Sequence, residues 1–289
     1  MLSSALALIG NTPIIEINNI YAKLELLNPT GSIKDRMAYY ILAHAEKTGQ
    51  IRAGQTIVEA TSGNTGISFS MLASIKGYKM VAVMPKNMSQ ERINMMKFFG
   101  AEVVFVGESD FEGAVAKRDE LAEKMDAFVP KQFCNPVNVE CHYETTGKEI
   151  LQQIKKPINA FVAGTGTGGT LIGCSKRIKE KYPDCKCVAV EPLESAVMSG
   201  GKPHQHKIQG IGDGFIPEIV DMKFIDEVVT VSEKDAIAKM HEICRSYGLF
   251  VGISSGANVF AAEKVYEKLG GNIVTVLPDR GERYLSMLK

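Results

Sequence analysis

Short apolar segments that alternate with amphipathic ones place the strongest constraint on the fold of this chain. Most of the apolar segments have the length of a buried strand and precede a helical pattern. The predicted strands cover residues 21–26, 56–59, 80–84, 103–106, 127–129, 160–163, 188–191, 250–253 and 273–277. Strands joined by helices pair in parallel through right-handed crossovers. The sequence therefore predicts an α/β protein with mainly parallel sheets flanked by helices.

Composition argues against several classes of function. Lys+Arg and Asp+Glu both number 33, and the absence of a long basic run argues against nucleic acid as a partner. No apolar run approaches the roughly 18 residues of a membrane span, and the apolar residues 1–8 are predicted as a short helix rather than a signal peptide. Six cysteines without C-x-x-C spacing predict reduced thiols in the cytoplasm and no metal site. His204 and His206 also lack ligand partners at a suitable spacing.

Three predicted strands end in loops of small residues that lead into helices. These loops cover residues 61–66, 164–170 and 252–256. In open α/β sheets, ligands bind at the carboxyl ends of strands and on helix N-termini. Three such loops in one chain predict a cleft for a small anionic ligand.

The segment Gly164-Thr165-Gly166-Thr167-Gly168-Gly169-Thr170 is the strongest candidate for a phosphate site. Its glycines allow backbone N–H groups to approach an anion, and Thr167 and Thr170 add hydroxyl donors. The segment also contains G-x-G-x-x-G, and Glu191 ends the next strand 22 residues after Gly169, which fits a dinucleotide-binding loop. The extra threonines suit a phosphate monoester better than NAD. A third interpretation is a loop whose glycines serve only a tight turn.

The loop Thr61-Ser62-Gly63-Asn64-Thr65-Gly66 offers hydroxyl, amide and N–H donors without any charge. Such a group of donors suits a carboxylate. The alternative is an ordinary helix N-cap with a serine–threonine turn. The spacing alone does not decide between the two.

Lys34 occupies an unusual place for a lysine. Asn28-Pro29 predicts a turn, and the helical pattern that begins at Ile33 puts Lys34 in the first helical turn. A helix N-terminus is the positive end of the macrodipole and disfavours a cation. The side chain either bends into solvent or is an amine poised to form an imine with a carbonyl compound.

The segment Asn28-Pro29-Thr30-Gly31-Ser32-Ile33-Lys34-Asp35-Arg36 resembles the Schiff-base lysine segment of the cysteine synthase (O-acetylserine sulfhydrylase) family. That family consists of pyridoxal 5'-phosphate (PLP) enzymes of fold type II, the tryptophan synthase β-like class. Further segments resemble the family in the same order: Ile9-Gly10-Asn11-Thr12-Pro13, Thr61-Ser62-Gly63-Asn64-Thr65-Gly66, Gly166-Thr167-Gly168-Gly169-Thr170, Gln209-Gly210-Ile211-Gly212, Gly252-Ile253-Ser254-Ser255-Gly256-Ala257 and Pro278-Asp279-Arg280-Gly281-Glu282-Arg283-Tyr284-Leu285-Ser286. The resemblance covers nearly the whole chain, and the combination is highly specific.

The resemblance implies two domains with the active site in the cleft between them. A small N-terminal α/β domain would cover residues 35–130, and a larger phosphate-binding α/β domain would combine 1–34 with 131–289. The irregular stretch 131–139, which contains Asn135-Pro136, marks the boundary.

The resemblance also implies a role for each matched residue. Lys34 would hold PLP as an imine and act as the base on the substrate Cα. The phosphate would be bound by Gly166, Thr167, Gly168, Gly169 and Thr170. Asn64 would hydrogen-bond the ring oxygen of the cofactor, and Ser254 would face the pyridine nitrogen. The substrate carboxylate would be bound by Thr61, Ser62, Thr65 and Gln132.

The activity implied is β-replacement on an amino acid through an aminoacrylate intermediate, in this family usually cysteine synthesis from O-acetylserine and sulfide. A neutral Ser254 leaves the ring nitrogen largely unprotonated, which favours loss of a β-leaving group over transamination. Two half-reactions predict ping-pong kinetics. The implied partners are an amino acid, sulfide or a thiol, a second copy of the chain in a homodimer, and serine acetyltransferase.

Two positions depart from the family pattern. Asp213 replaces the alanine of Gln-Gly-Ile-Gly-Ala-Gly, and a carboxylate there is either a general base or a solvated turn residue. As a base it would support sulfide release from L-cysteine, giving serine, lanthionine or cystathionine. Arg280 replaces a small residue and is predicted to face solvent. The competing functions are an NAD-binding oxidoreductase and a non-enzymatic binding protein on the same fold.

Overall fold

A computed structural model describes residues 4–108 and 110–287. The chain divides into two compact units. The first comprises Met1–Ile9, Lys34–Lys131 and Arg283–Lys289, and the second Gly10–Ile33 and Gln132–Glu282. Within the described residues, no helix combines the length and the hydropathy needed to cross a membrane.

The first unit is built on a three-stranded parallel sheet of order β3-β4-β5. The strands are β3 (Thr56–Ala60), β4 (Lys79–Pro85) and β5 (Glu102–Val106), and the helices are α1 (Lys34–Thr48), α2 (Asn64–Lys76), α3 (Gln90–Phe98) and α4 (Phe111–Met125). The apolar runs predicted as strands are therefore confirmed here. The predicted strand 127–129 is reduced to a single bridge between Phe128 and Ile57.

Helix ends in this unit follow the capping signals of the sequence. Gly77 ends α2 in a left-handed conformation, with φ of 77°. The Ser89 hydroxyl accepts from the N–H of Arg92 at the start of α3, and Asp110 accepts from Gly113 at the start of α4. Residues 1–3 of the predicted N-terminal helix lie outside the described residues, and a 3-10 helix covers Ala5–Leu8.

The C-terminal 3-10 helix Gly281–Met287 departs from the predicted domain division. Residues from Arg283 onward belong to the first unit, as does Met1–Ile9, whereas the sequence places both segments in the larger domain. Side-chain contacts are the reason, since Ser286 donates its N–H to Glu91 Oε1 at 3.1 Å and the Arg92 guanidinium lies 4.9 Å from the centre of the Tyr284 ring. The end of the chain thus packs on the N-terminal end of α3.

Glu91 makes this C-terminal contact dependent on pH. Burial raises the pKa of the Glu91 carboxyl, but hydrogen bonds from its own N–H, Ser89 and Ser286 outweigh burial and lower the pKa from 4.5 to about 2. A carboxyl with a depressed pKa stabilises the fold above its unfolded pKa, and that stabilisation is lost as the pH falls toward the folded value. The contribution of Glu91 should therefore be complete above pH 4.5 and disappear by about pH 2.

Replacing Glu91 with glutamine should lower the free energy of unfolding at pH 7 by roughly 1–2 kcal/mol, because hydrogen bonds to a charged acceptor are lost. Urea unfolding at several pH values measures this, and the difference from wild type should shrink below pH 4.5. Glu102→Gln, at an exposed carboxylate of the same unit, is the control. A difference that stays constant with pH would contradict the assignment.

The second unit is built on a six-stranded sheet of order β1-β2-β9-β6-β7-β8. Its strands are β1 (Ile14–Ile17), β2 (Ile20–Lys23), β6 (Ala160–Gly164), β7 (Lys186–Pro192), β8 (Glu227–Val231) and β9 (Ile273–Val276). Its helices are α5 (Val137–His142), α6 (Lys148–Gln153), α7 (Gly169–Lys181), α8 (Glu233–Tyr247) and α9 (Ile253–Leu269), with a π-helical turn at Tyr143–Gly147. Every strand pair is parallel except β1 and β2.

Two features of the second unit were not predicted, and one predicted strand is reduced to a bridge. The sheet begins with an antiparallel hairpin of β1 and β2, which the sequence patterns did not identify. Strand β8 was also missed, although it pairs with β7. The predicted strand 250–253 is one bridge from Val251 to Arg280, because α9 already begins at Ile253.

Three cysteines of the second unit are packing residues. Cys174, Cys185 and Cys187 are buried in one apolar cluster with Phe161 and Val274. Burial raises the pKa of the Cys185 thiol to about 12 and that of Cys187 to about 11. Both therefore remain protonated thiols near neutral pH, which suits a hydrophobic core.

Candidate active site

Lys34 is the first residue of α1 in the first unit and is partly buried. The chain reaches it through the predicted turn, in which the N–H of Gly31 donates to Asn28 O at 2.8 Å. In the second unit, Ile33 donates its N–H to Pro278 O at 2.8 Å. The main-chain hydrogen bond of Ile33 thus fixes the residue that precedes α1, and Lys34 is the first residue of that helix.

The first turns of α1 and α2 are joined inside the first unit. The Ser68 hydroxyl lies 2.6 Å from Asp35 Oδ1 and 3.0 Å from Asn64 O. Asp35 is fully buried, and a carboxylate in the first turn of a helix is favoured by the macrodipole. Ser68 therefore brings the residue after Lys34 and the first residue of α2 to the same end of this unit.

Asn64, predicted to bind a cofactor ring oxygen, contacts a residue that the sequence analysis did not single out. The Arg283 guanidinium is fully buried and donates through Nη1 to Asn64 Oδ1 at 2.7 Å. Because guanidinium only donates, this bond fixes the amide oxygen toward Arg283 and turns the amide nitrogen the other way. Asn64 is thereby oriented as a hydrogen-bond donor.

The loop 61–66 forms a serine–threonine turn at the start of α2. Thr61 Oγ1 accepts from the N–H of Gly63 at 3.3 Å, which is a serine–threonine turn. The N-cap of α2 is Gly63, which has no side chain to cap the helix. Thr61 and Thr65 are buried, and Ser62 is partly buried. The alternative interpretation, a helix N-cap with a serine–threonine turn, is therefore half correct. The turn is present, but the N-cap is Gly63 and not a residue with a hydroxyl.

The glycine loop of the second unit ends where α7 begins, at Gly169. Gly168 has φ of 86°, a conformation that glycine adopts easily. A Cβ on Gly166 would lie 2.2 Å from Gly210 O, so a second loop packs directly against the first. The first N–H groups of α7 have no acceptors within the helix, which makes this end of the helix suited to an anion.

The donors of this loop fit a phosphate group. Thr167 is 7% exposed, and its Oγ1 accepts from Asn138 Nδ2 at 3.0 Å and from the Gly169 N–H at 3.5 Å. No acceptor for the Thr167 hydroxyl hydrogen occurs within residues 4–108 and 110–287. Thr170 Oγ1 lies 3.2 Å from His142 Nε2. A buried hydroxyl that still needs an acceptor matches an anionic ligand.

Glu191 has a different role from the one a dinucleotide-binding loop requires. Its carboxylate is 2% exposed and accepts from the N–H groups of Met198 at 2.8 Å and Ser199 at 3.0 Å. The Ser199 hydroxyl also donates to it. Glu191 therefore holds its own loop together rather than presenting a carboxylate to a ribose.

Ser254 is the second residue of α9 and is 3% exposed. Its hydroxyl makes no hydrogen bond to another residue in the part of the chain that the structure describes. A Cβ on Gly256 would lie 2.0 Å from Ala236 O, so α9 packs closely on α8 at this level. A neutral, buried hydroxyl held in this way suits a neutral ring nitrogen.

Asp213 lies beside the glycine loop. It is exposed, and its Oδ2 is 3.8 Å from the position of a Cβ on Gly166. Phe215, two residues later, packs on Phe133 with ring centres 5.2 Å apart, next to the buried Gln132. The structure therefore brings Asp213, Gly166 and Gln132 into one region of the second unit.

Arg280 does not face solvent as predicted. It is partly buried and donates through Nε to Leu26 O at 2.8 Å. Its N–H donates to Gly31 O at 3.2 Å. Arg280 thus stabilises the turn that precedes Lys34.

His206 contacts Gly212 O at 2.9 Å, and His204 is exposed.

The family of pyridoxal-phosphate dependent enzymes matches residues 5–279. A cysteine synthase of Staphylococcus aureus is 46% identical over 96% of this chain and 94% of its own length. A hydrogen sulfide-producing enzyme of Fusobacterium nucleatum has a TM-score of 0.93 at 43% identity, covering 97% of this chain and 89% of its own. The cysteine synthase of Entamoeba histolytica has a TM-score of 0.94 at 37% identity, covering 99% and 90%.

These matches confirm the resemblance and decide among the competing functions. The protein is a β-replacing enzyme, and its cofactor is pyridoxal phosphate rather than NAD. The oxidoreductase alternative from G-x-G-x-x-G is wrong, in agreement with the hydrogen bonding of Glu191. The chain belongs to the cysteine synthase family of pyridoxal-phosphate dependent enzymes.

Proposed function

We propose that this enzyme makes cysteine from O-acetylserine and sulfide. The observation that carries the assignment to this chain is the loop at the start of α7, where Thr167 keeps a buried hydroxyl hydrogen for an anion. When bound, pyridoxal phosphate supplies an electron sink for the negative charge that develops at the substrate Cα. All other roles belong to residues of the chain, through their side chains and backbone N–H groups.

Lys34 holds the cofactor covalently through Nζ and, once released, removes the proton from the substrate Cα. Its position at the start of α1 supports this role, because the macrodipole disfavours a protonated amine there. The five residues of the loop 166–170 bind the cofactor phosphate. Asn64, oriented by Arg283, donates to the ring oxygen. Ser254, which is 3% exposed, would face the ring nitrogen.

The loop 61–66 and Gln132 bind the substrate carboxylate. Thr61, Ser62 and Thr65 lie at the N-terminus of α2, where the N–H groups of the first turn add to their hydroxyls. Gln132 is 6% exposed. All of these donors are uncharged, so the carboxylate is bound by directed hydrogen bonds rather than by an ion pair.

Two assays on the same preparation test this assignment. One measures sulfide consumption with O-acetylserine, and the other measures sulfide release from cysteine. We expect sulfide-dependent formation of cysteine with ping-pong kinetics. A protein that releases sulfide from cysteine but consumes none with O-acetylserine would overturn the proposed direction.

A second function, sulfide release from L-cysteine with Asp213 as general base, has its own support. The Asp213 carboxylate lies beside Gly166, and one similar structure is a hydrogen sulfide-producing enzyme. A carboxylate there can take the proton of water or of a thiol that replaces the sulfide. The products would be serine, lanthionine or cystathionine.

Replacing Asp213 with alanine should lower sulfide release from cysteine by about 100- to 10,000-fold if Asp213 is the base. Cysteine formation from O-acetylserine should persist, since sulfide needs no general base. Assays of both reactions measure this, with Glu218→Ala as an exposed carboxylate control in the same segment. Unchanged activity with every donor and acceptor would exclude the catalytic role.

We further propose a homodimer in the cytoplasm with serine acetyltransferase as a partner. The six cysteines support a reducing compartment, since all are free thiols. Sedimentation of the purified protein, alone and mixed with serine acetyltransferase, tests both associations.

A further inference from the structure

Asn138 is a buried polar residue next to the glycine loop. It is 1% exposed and is the second residue of α5. Its Nδ2 donates to Gln132 O at 3.0 Å and to Thr167 Oγ1 at 3.0 Å. A Cβ on Gly169 would lie 2.1 Å from Asn138 Oδ1, so the side chain packs directly on the loop backbone.

The orientation of this amide follows from its partners. A main-chain carbonyl only accepts, so the Asn138 atom that faces Gln132 O is the nitrogen. The second hydrogen of the same nitrogen points to Thr167 Oγ1. Asn138 is therefore the donor in its bond to Thr167, and the hydroxyl is the acceptor.

This direction determines what the Thr167 hydroxyl can still do. A hydroxyl accepts twice and donates once. Both accepting positions of Thr167 are used, by Asn138 and by the N–H of Gly169. Its hydrogen is then directed away from α5 and is available to an anion on the loop.

We propose that Asn138 is a positioning residue that orients the Thr167 hydroxyl as a donor to the cofactor phosphate. The inference rests on the proposed phosphate site of the loop 166–170. The same amide holds Gln132 O, so one side chain fixes both the phosphate-binding hydroxyl and the main chain of a proposed carboxylate-binding residue.

Replacing Asn138 with aspartate tests the direction of the bond. A carboxylate has no hydrogen to donate, so the Thr167 hydroxyl would turn and donate to it instead of to the phosphate. The matched control is Asn135→Asp near the start of α5. It adds the same charge but keeps an oxygen that accepts from the N–H of Val137, a 3.0 Å bond in this protein.

The measurement is the dissociation constant of pyridoxal phosphate and, separately, of pyridoxal, each titrated into the full-length protein freed of cofactor. Asn138→Asp should weaken the binding of pyridoxal phosphate about 10- to 100-fold, which corresponds to the loss of one charge-assisted hydrogen bond. It should change the binding of pyridoxal by less than about threefold. Asn135→Asp should change neither. Equal weakening of both ligands indicates a merely structural role and would overturn the proposal.

A double-mutant cycle gives a second test that does not depend on the aspartate variant. Thr167→Val removes the hydroxyl, so adding Asn138→Ala should weaken pyridoxal phosphate little further. Additive losses would contradict the proposed coupling. If the Asn138 variants do not fold, two variants of Thr167 replace them. Thr167→Ser should bind pyridoxal phosphate like the wild type, and Thr167→Val should lose affinity for pyridoxal phosphate but not for pyridoxal. Any other pattern overturns the proposal. A wild-type protein that discriminates the two ligands poorly would instead refute the phosphate site itself.

Discussion

Replacing Lys34 with alanine is expected to remove the covalently held cofactor and to lower turnover at least about 1,000-fold. Lys34 has two proposed roles, as the covalent anchor and as the base on the substrate Cα, and alanine can perform neither. The absorption band of the imine and the rate of cysteine formation measure the two losses. Noncovalent binding of pyridoxal phosphate should remain, because the glycine loop lies elsewhere in the chain.

Lys47→Ala is the matched control for this experiment. Lys47 is an exposed lysine in the last turn of the same helix, where the macrodipole favours a cation. Its replacement should leave absorption and turnover unchanged. A Lys34→Ala protein that is active and still shows the imine band would mean that another amine holds the cofactor, and it would remove Lys34 from the mechanism.

Much of the fold could be predicted because buried parallel strands have a simple sequence signature. Residues 80–84 and 188–191 are short apolar runs, and they lie within β4 and β7. Two of the three loops of small residues, 61–66 and 164–170, could be located for the same reason, since each follows such a strand. These signals are local, and local signals are visible in one sequence.

The failures have physical causes. β1 was missed, whereas the predicted strand 21–26 overlaps β2, and the pairing of the two depends on the tight turn between Ile17 and Ile20. Residues 227–231 follow a long irregular segment, and their Val-Val-Thr-Val run has the composition of a strand but was not identified as one. At residues 250–253, an apolar run that resembles a strand enters the buried end of α9. Tertiary context overrides local preference at residues 250–253.

The supporting residues of the candidate site were harder to predict than the residues they support. Arg283 lies 219 positions from Asn64, and Asn138 lies 29 positions from Thr167. An arginine in a C-terminal segment and an asparagine on a short helix carry no local signal of such contacts. Resemblance to a family identifies the residues proposed to touch the cofactor, whereas only the structure shows which side chains orient them.

Replacing Gly166 with alanine should produce the second large loss, in the proposed phosphate site. The added Cβ would lie 2.2 Å from Gly210 O, a backbone atom that cannot move without shifting the loop that carries Asp213. Overpacking of this kind costs about 1–3 kcal/mol. Displacing the N–H groups of the glycine loop should also weaken the binding of pyridoxal phosphate at least about tenfold. Cofactor titration and thermal unfolding measure the two effects separately.

Gly54→Ala separates loss of the site from loss of stability. A Cβ on Gly54 meets no atom within 4 Å, but its φ of 74° makes alanine strained there. The variant should be destabilised by about 1 kcal/mol without any change in cofactor affinity. A phosphate held by backbone N–H groups should be sensitive to displacement of the loop 166–170. Normal binding of pyridoxal phosphate by Gly166→Ala would therefore contradict the proposed phosphate site.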